Sequence, residues 1–282
     1  MTIIDVWYRA VDLLPFSWAH YDFMKSALLA VLLITPLFAL LGTMVVVNRM
    51  VFFTDVLGHS ALTGIAIGAV LGLREPTLSM MLVAVALAAG ITALKSFTKT
   101  SMDTVLGVVF SFVVALGIVI LSRQGGFVKY THYLIGDVLA VNAGDIIFLL
   151  VMSFLVLAYW YIAANALTLT SVNDSLARSR MVKTFLVELS FAALLALVVM
   201  VSIRLVGILI INSLLVLPAA ASRNLTRNMH TYTLWAVLIS VVSGIAGLIQ
   251  SYYWGTASGA TIVLFAAAFY GLSLVVGKWL RG

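Results

Sequence analysis

TDVLGHSALTGIAIGAVLG, residues 54–72, is the stretch that decides the fold. It is long and apolar enough to approach a membrane span, which takes about 20 predominantly apolar residues. Yet it carries Asp55 and His59 near its start and Gly64, Gly68 and Gly72 behind them. An ionisable side chain inside a span costs about 2.5–3.5 kcal/mol on insertion scales, so such residues mark functional positions by default. Asp55 and His59 are four apart and stack on one face of a helix, and Thr63 continues that stripe. At about 100° per residue, the glycines centre on the opposite side, where they let another helix come close.

A carboxylate oxygen and an imidazole nitrogen one turn apart can reach the same cation. That donor pair suits divalent first-row metals such as Mn, Fe and Zn. The structural alternative is a neutral His59 hydrogen-bonded to Asp55, holding a polar helix pair together. The cost of intramembrane charge favours a metal or proton role. Spacing alone does not separate metal from proton.

The rest of the chain reads the same way. Of 282 residues 63% are hydrophobic and only 9% charged, against about 25% charged in a typical soluble domain. The mean hydropathy is +1.18. An ordinary soluble fold and intrinsic disorder are both excluded. The expected architecture is all-α and polytopic, with nine candidate spans near 26–47, 55–72, 77–96, 103–121, 143–163, 184–203, 205–221, 231–249 and 260–279. Eight spans is the alternative, because the split of 184–221 at Arg204 and Gly207 is the weak point. Two stretches, 55–72 and 205–221, are short, as spans lining a transport cavity often are. The whole chain reads as one transmembrane domain, a helical bundle over 26–280 preceded by an interfacial segment, 1–25. That segment has no signal-peptide pattern, and its aromatic residues, Trp7, Tyr8, Phe16, Trp18, Tyr21 and Phe23, suit the headgroup level.

The net charge is +6. In a membrane protein this is better explained by basic cytoplasmic loops than by nucleic acid. Placing 164–183 inside puts ten basic residues in the cytoplasm and six outside, which orients the N-terminus out and the C-terminus in. The chain has no cysteine, hence no disulfide and no thiolate ligand. It contains no G-x-x-x-x-G-K-[ST], so any ATP hydrolysis must reside on a partner. An H-E-x-x-H is also absent, which argues against an intramembrane metalloprotease. An ATP-independent metal or proton channel, or an ion-coupled carrier, is the alternative from another class.

Other residues are weaker candidates. Asp103, at the expected start of the fourth span, and Asp137, near the outer mouth, read first as helix caps and second as pathway residues beside Thr63. Asp145 reads as a cap for the fifth span. His132 falls in an outer loop, where interface placement suffices. Pro218 is expected to kink its helix.

Several segments in order resemble the bacterial zinc, manganese and iron permeases of the ABC-3 family. TDVLGHSALTGIAIG resembles the family's D-A-L-S-H-A-x-L-P-G-I-A signature, with Gly58 and Thr63 in place of the usual Ser and Pro. SMDTVLGVVFS (101–111), YLIGDVLAV (133–141), VGILIINSLLVLPAAASRNL (206–225) and SGATIVLFAAAF (258–269) match further motifs. The resemblance covers about residues 24–280. It implies a type II ABC importer permease-like fold and a place in a bacterial cell membrane. The implied assembly contains two permeases (a second copy or a paralogue), cytoplasmic ATP-binding subunits and an external metal-binding lipoprotein. No permanently bound cofactor is implied. A divalent metal ion is the cargo, with Asp55 and His59 as its best candidate ligands. The resemblance also implies a short cytoplasmic segment docked on the ATPase. Residues 222–230 and 171–183 both qualify. The first is favoured because it follows the family-like Pro-Ala-Ala, and it nominates Ser222, Arg223, Asn224, Leu225 and Arg227.

Overall fold

A computed structural model of the chain describes residues 3–73, 75–98, 100–123, 133 and 136–281. Among these, the regular structure is helical throughout. Helices α1 (Ile3–Asp12) and α2 (Asp22–Val47) are joined through a 3-10 turn at Ser17–His20. Next come α3 (Val51–Val70), α4 (Thr77–Phe97), α5 (Met102–Arg123) and α6 (Ala143–Val172). The short α7 (Asp174–Ser179) precedes α8 (Thr184–Val206), α9 (Ile208–Leu225), α10 (Met229–Trp254) and α11 (Ser258–Arg281). In hydrocarbon every backbone polar group must be satisfied within the chain, and a helix does so within one segment.

Eight of the described helices are long and apolar enough to cross a bilayer: α2 to α6, α8, α10 and α11. This is the lower of the two numbers expected from sequence. The stretch 205–221 falls on α9, which is 18 residues long and begins after Gly207, a residue at φ 88°. Its rise of about 27 Å is close to the hydrocarbon thickness of about 30 Å. A turn of three residues joins it to α10, so α9 is paired with a full span. Elsewhere the boundaries moved. α3 starts at Val51, four residues before the expected 55, so Asp55 lies in the second turn. The expected loop at 164–183 is mostly helix, because α6 continues to Val172 and α7 follows.

The chain divides into two compact units. One comprises residues 1–43, 136–155 and 205–282. Its helices meet through glycines. A Cβ on Gly42 would strike the carbonyl of Leu215, one on Gly244 would meet Val31 and Thr35 at 2.7 Å, and one on Gly247 would lie 2.5 Å from the Ile262 Cα. Polar side chains are used locally as ties. Ser240 donates to the Thr35 carbonyl at 2.9 Å and Ser222 to the Tyr232 carbonyl at 2.6 Å. At the N-terminal end the Lys25 ammonium is buried against Asp12 (2.7 Å) and Asp22 (3.0 Å), while the Trp7 indole donates to the Lys25 carbonyl at 2.9 Å. These contacts fasten α1 to the start of α2.

The other unit comprises residues 44–135 and 156–204. Its centre is α3, packed between α4 and α5. Gly64 takes the backbone of Met80, where a Cβ would come within 2.5 Å of Cα, and Gly68 sits against the Ser79 hydroxyl. That hydroxyl lies 2.8 Å from both the Gly64 and the Pro76 carbonyls. On the α5 side, Gly117 closes on Thr63. Gly72 is not part of this contact, because α3 ends at Val70 and Gly72 turns the chain at φ 69°.

Two outcomes follow. Gly64→Leu places a side chain where Met80 backbone already lies, so unfolding in detergent, followed by tryptophan fluorescence, should show a loss of about 1–3 kcal/mol or failure to assemble. Gly90→Ala, at an α4 site with nothing within 4 Å, should be neutral or slightly stabilising in the same assay. Topology is tested in the cysteine-free background. If α9 crosses as a ninth span, Ser17→Cys and Ala257→Cys should react with an impermeant maleimide from outside, and Ser175→Cys only after lysis; all three positions are exposed. Positions 257 and 175 labelling from the same side would show that α9 does not cross.

Candidate functional site

Helix α3 is buried along almost its whole length. Asp55 and His59 are the exception among its polar side chains. Thr54, Ser60 and Thr63 are buried, whereas the side chains of Asp55 and His59 keep 37% and 25% of their surface. The glycine face and its small-residue neighbours are turned into α4 and α5, and the carboxylate and imidazole are left on the open stripe.

The Asp55 Oδ1 and His59 Nε2 atoms are 3.9 Å apart. That is too long for a hydrogen bond. The simple structural alternative, an Asp–His pair closed on itself, is therefore not the arrangement observed. Two ligands about 2.1 Å from one tetrahedral ion stand about 3.4 Å apart, so a small rotamer change lets both groups take the same cation. Among the described residues no group of three or more His, Cys, Asp or Glu side chains forms a metal cluster. Within one chain the pair offers two donor groups.

Phe110 of α5 stands edge-on to the His59 ring, with centroids 5.2 Å apart and planes at 85°. Phe52 packs on Phe110 in turn, with centroids 5.9 Å apart. An aromatic edge fixes the imidazole's orientation and keeps one flank of it dry. Sequence reading did not single out Phe110, although it lies in the SMDTVLGVVFS segment.

The other candidates are placed differently. Thr63 lies on the Asp55–His59 helix, but its hydroxyl is buried and donates to the Val113 carbonyl of α5 at 2.5 Å. Asp103 is exposed in the first turn of α5 and lines a cavity with Arg49, Lys95 and Glu188. Asp137 is exposed and accepts from the Leu139 amide at 2.9 Å, the cap expected of it. Asp145 works with Asn142: each side chain accepts from the other's backbone amide, at 3.1 and 3.0 Å. His132 lies outside the described residues.

The nominated ATPase-contact segment is the C-terminal end of α9 and the turn after it. Ser222 is fully buried and Asn224 donates to Ser273 at 3.0 Å, while Leu225 is half-buried and Arg223 and Arg227 are exposed. Asn228 then caps α10, accepting from the Thr231 amide at 2.9 Å. The competing stretch contains a separate helix. Asn173 caps α7 by accepting from the Leu176 amide at 3.1 Å, and Leu176 and Met181 are 44% and 92% exposed. The signal for it was present in the sequence, since Asn before a short polar-apolar run is a helix start.

A family model described as the ABC 3 transport family matches residues 20–277. The high-affinity zinc uptake system membrane protein ZnuB of Haemophilus influenzae is 33% identical over 255 residues, covering 90% of this chain and 97% of that one. The manganese transport system membrane protein MntC of Listeria innocua is 28% identical over 251 residues, covering 89% of each. Among solved structures, PsaBC from Streptococcus pneumoniae in complex with Fab superposes with a TM-score of 0.78 at 24% identity, covering 96% of this chain and 95% of that one. Its fold is thus the same. With the family model spanning nearly all of the chain and its eight apolar helices in place, the protein is a multi-pass membrane permease subunit and a member of the ABC 3 transport family.

Proposed function

We propose that the chain forms the membrane pathway of an ATP-driven importer of a divalent transition metal ion, Mn, Zn or Fe, with Asp55 and His59 as its ligands inside the membrane. The observation that carries the reading is the 3.9 Å gap between a carboxylate oxygen and an imidazole nitrogen on the open stripe of a buried helix. Both groups are hard-to-borderline donors suited to these ions. Two protein ligands leave an ion loosely held, which a transported ion requires if it is to leave again. A second permease, copy or paralogue, presenting the same stripe would bring the donor set to four.

ATP hydrolysis belongs to a separate cytoplasmic subunit, since the chain has no P-loop. An external metal-binding protein delivers the ion. The ATPase docks on α7. Its support is a capped six-residue helix on the basic face, with Leu176, Arg178 and Met181 turned to solvent. Ser222 and Asn224 are instead engaged within their own unit.

Asp55→Asn and His59→Ala should each reduce uptake of isotopic metal by cells to the background of a strain lacking the permease, with membrane insertion and ATPase copurification intact. Wild-type uptake in either variant removes that residue from the pathway. Retained metal uptake with lost proton movement would instead point to a proton relay. For docking, Leu176→Asp combined with Arg178→Glu should abolish copurification of the ATPase. Arg223→Glu with Arg227→Glu should leave it bound. The reverse result would assign docking to the α9–α10 turn.

A further inference from the structure

Within the unit built around α3 lies a cavity of about 340 Å³ that the metal site does not use. Its floor is apolar and consists of buried side chains: Phe53, Ile91, Leu106, Leu167 and Phe191. Its rim is charged. Arg49 comes from the turn between α2 and α3, Lys95 from the last turn of α4, Asp103 from the first turn of α5 and Glu188 from the second turn of α8. All four stand at helix ends on one membrane face, because α2 and α4 end there and α3, α5 and α8 start there. On the orientation expected from the basic loops, that face is the cytoplasmic one.

The rim charges are not equivalent. Lys95 is satisfied by both oxygens of Glu188, at 2.9 and 2.8 Å. Among the described residues, Arg49 and Asp103 have no ion pair of their own. Arg49 is also held at φ 56°, a conformation that non-glycine residues rarely adopt and that persists where the surroundings over-determine it. An apolar floor beneath a rim that carries one cation and one anion without an ion pair matches an amphiphile with a dipolar head.

We infer that this cavity binds a zwitterionic phospholipid of the cytoplasmic leaflet. Its phosphate sits on the Arg49 guanidinium, its primary ammonium on the Asp103 carboxylate, and the first methylenes of an acyl chain on the Ile91–Leu106 floor. Guanidinium and phosphate pair through two parallel hydrogen bonds. A primary ammonium donates hydrogen bonds to a carboxylate, which a trimethylated one cannot do. The four rim charges sum to zero, so the site selects a neutral headgroup over an anionic one. Cavities of this size are at the lower end of those that hold small ligands.

The test uses the full chain purified in mild detergent, with native mass spectrometry counting bound lipid after addition of equimolar phosphatidylethanolamine and phosphatidylglycerol. The wild type should retain about one phosphatidylethanolamine per chain and prefer it to phosphatidylglycerol. Arg49→Gln and Asp103→Asn should each lower that retention about tenfold, as expected for loss of one charge-assisted contact. Ile91→Phe, which fills the floor and leaves the rim charges in place, should do the same; monodisperse elution shows that each variant is folded. Equal retention of the two lipids by the wild type, or undiminished retention in folded Arg49 and Asp103 variants, would overturn the inference. So would loss of ATPase copurification in those variants at unchanged lipid content, which would make the cavity a protein-docking site.

Discussion

Close backbone approach at Gly64 and Gly117 is the constraint on which the α3 unit depends. In lipid there is no hydrophobic driving force between helices, so association rests on packing and hydrogen bonds between close backbones. Gly64 lets Met80 of α4 reach the α3 backbone, and Gly117 lets Thr63 of α3 reach α5. With both flanks occupied, α3 has one rotational setting. That setting buries Thr54, Ser60 and Thr63 and leaves Asp55 and His59 partly open. The polar stripe is exposed because the rest of the helix is occupied.

The same packing accounts for the local electrostatics. A charged group in hydrocarbon is tolerated when it pairs or faces water. Lys25 pairs with Asp12 and Asp22, and Lys95 with Glu188. Asp55 and His59 are close but stop short of a hydrogen bond, which leaves their lone pairs available. A pair that closed on itself would be more stable and less useful as a ligand set. Phe110, itself packed on Phe52, stands against the imidazole without supplying a competing donor.

Hydroxyl groups serve the opposite purpose. Thr63, Ser79, Ser222 and Ser240 each donate to a carbonyl on another helix or beyond their own turn. Such bonds pin crossing points where small residues bring backbones together.

Whatever is encoded within a few residues was legible in the sequence. Hydrophobic length and charge poverty dictated a polytopic helical membrane protein. The spacing of Asp55 and His59 is a property of one helix, so their shared face followed from periodicity alone. The cap at Asp137 is likewise local. Other features depend on which helices meet. Thr63 has the right periodicity for the stripe, but its hydroxyl turns to Val113, fifty residues away, because α5 approaches there. Phe110 meets His59, and Ser222 disappears under Tyr232, for the same kind of reason. The cavity rimmed by Arg49, Lys95, Asp103 and Glu188 gathers residues from four separate helix ends. Helical period places side chains on a face; only the packing of one helix against another decides whether that face is filled, bonded or open.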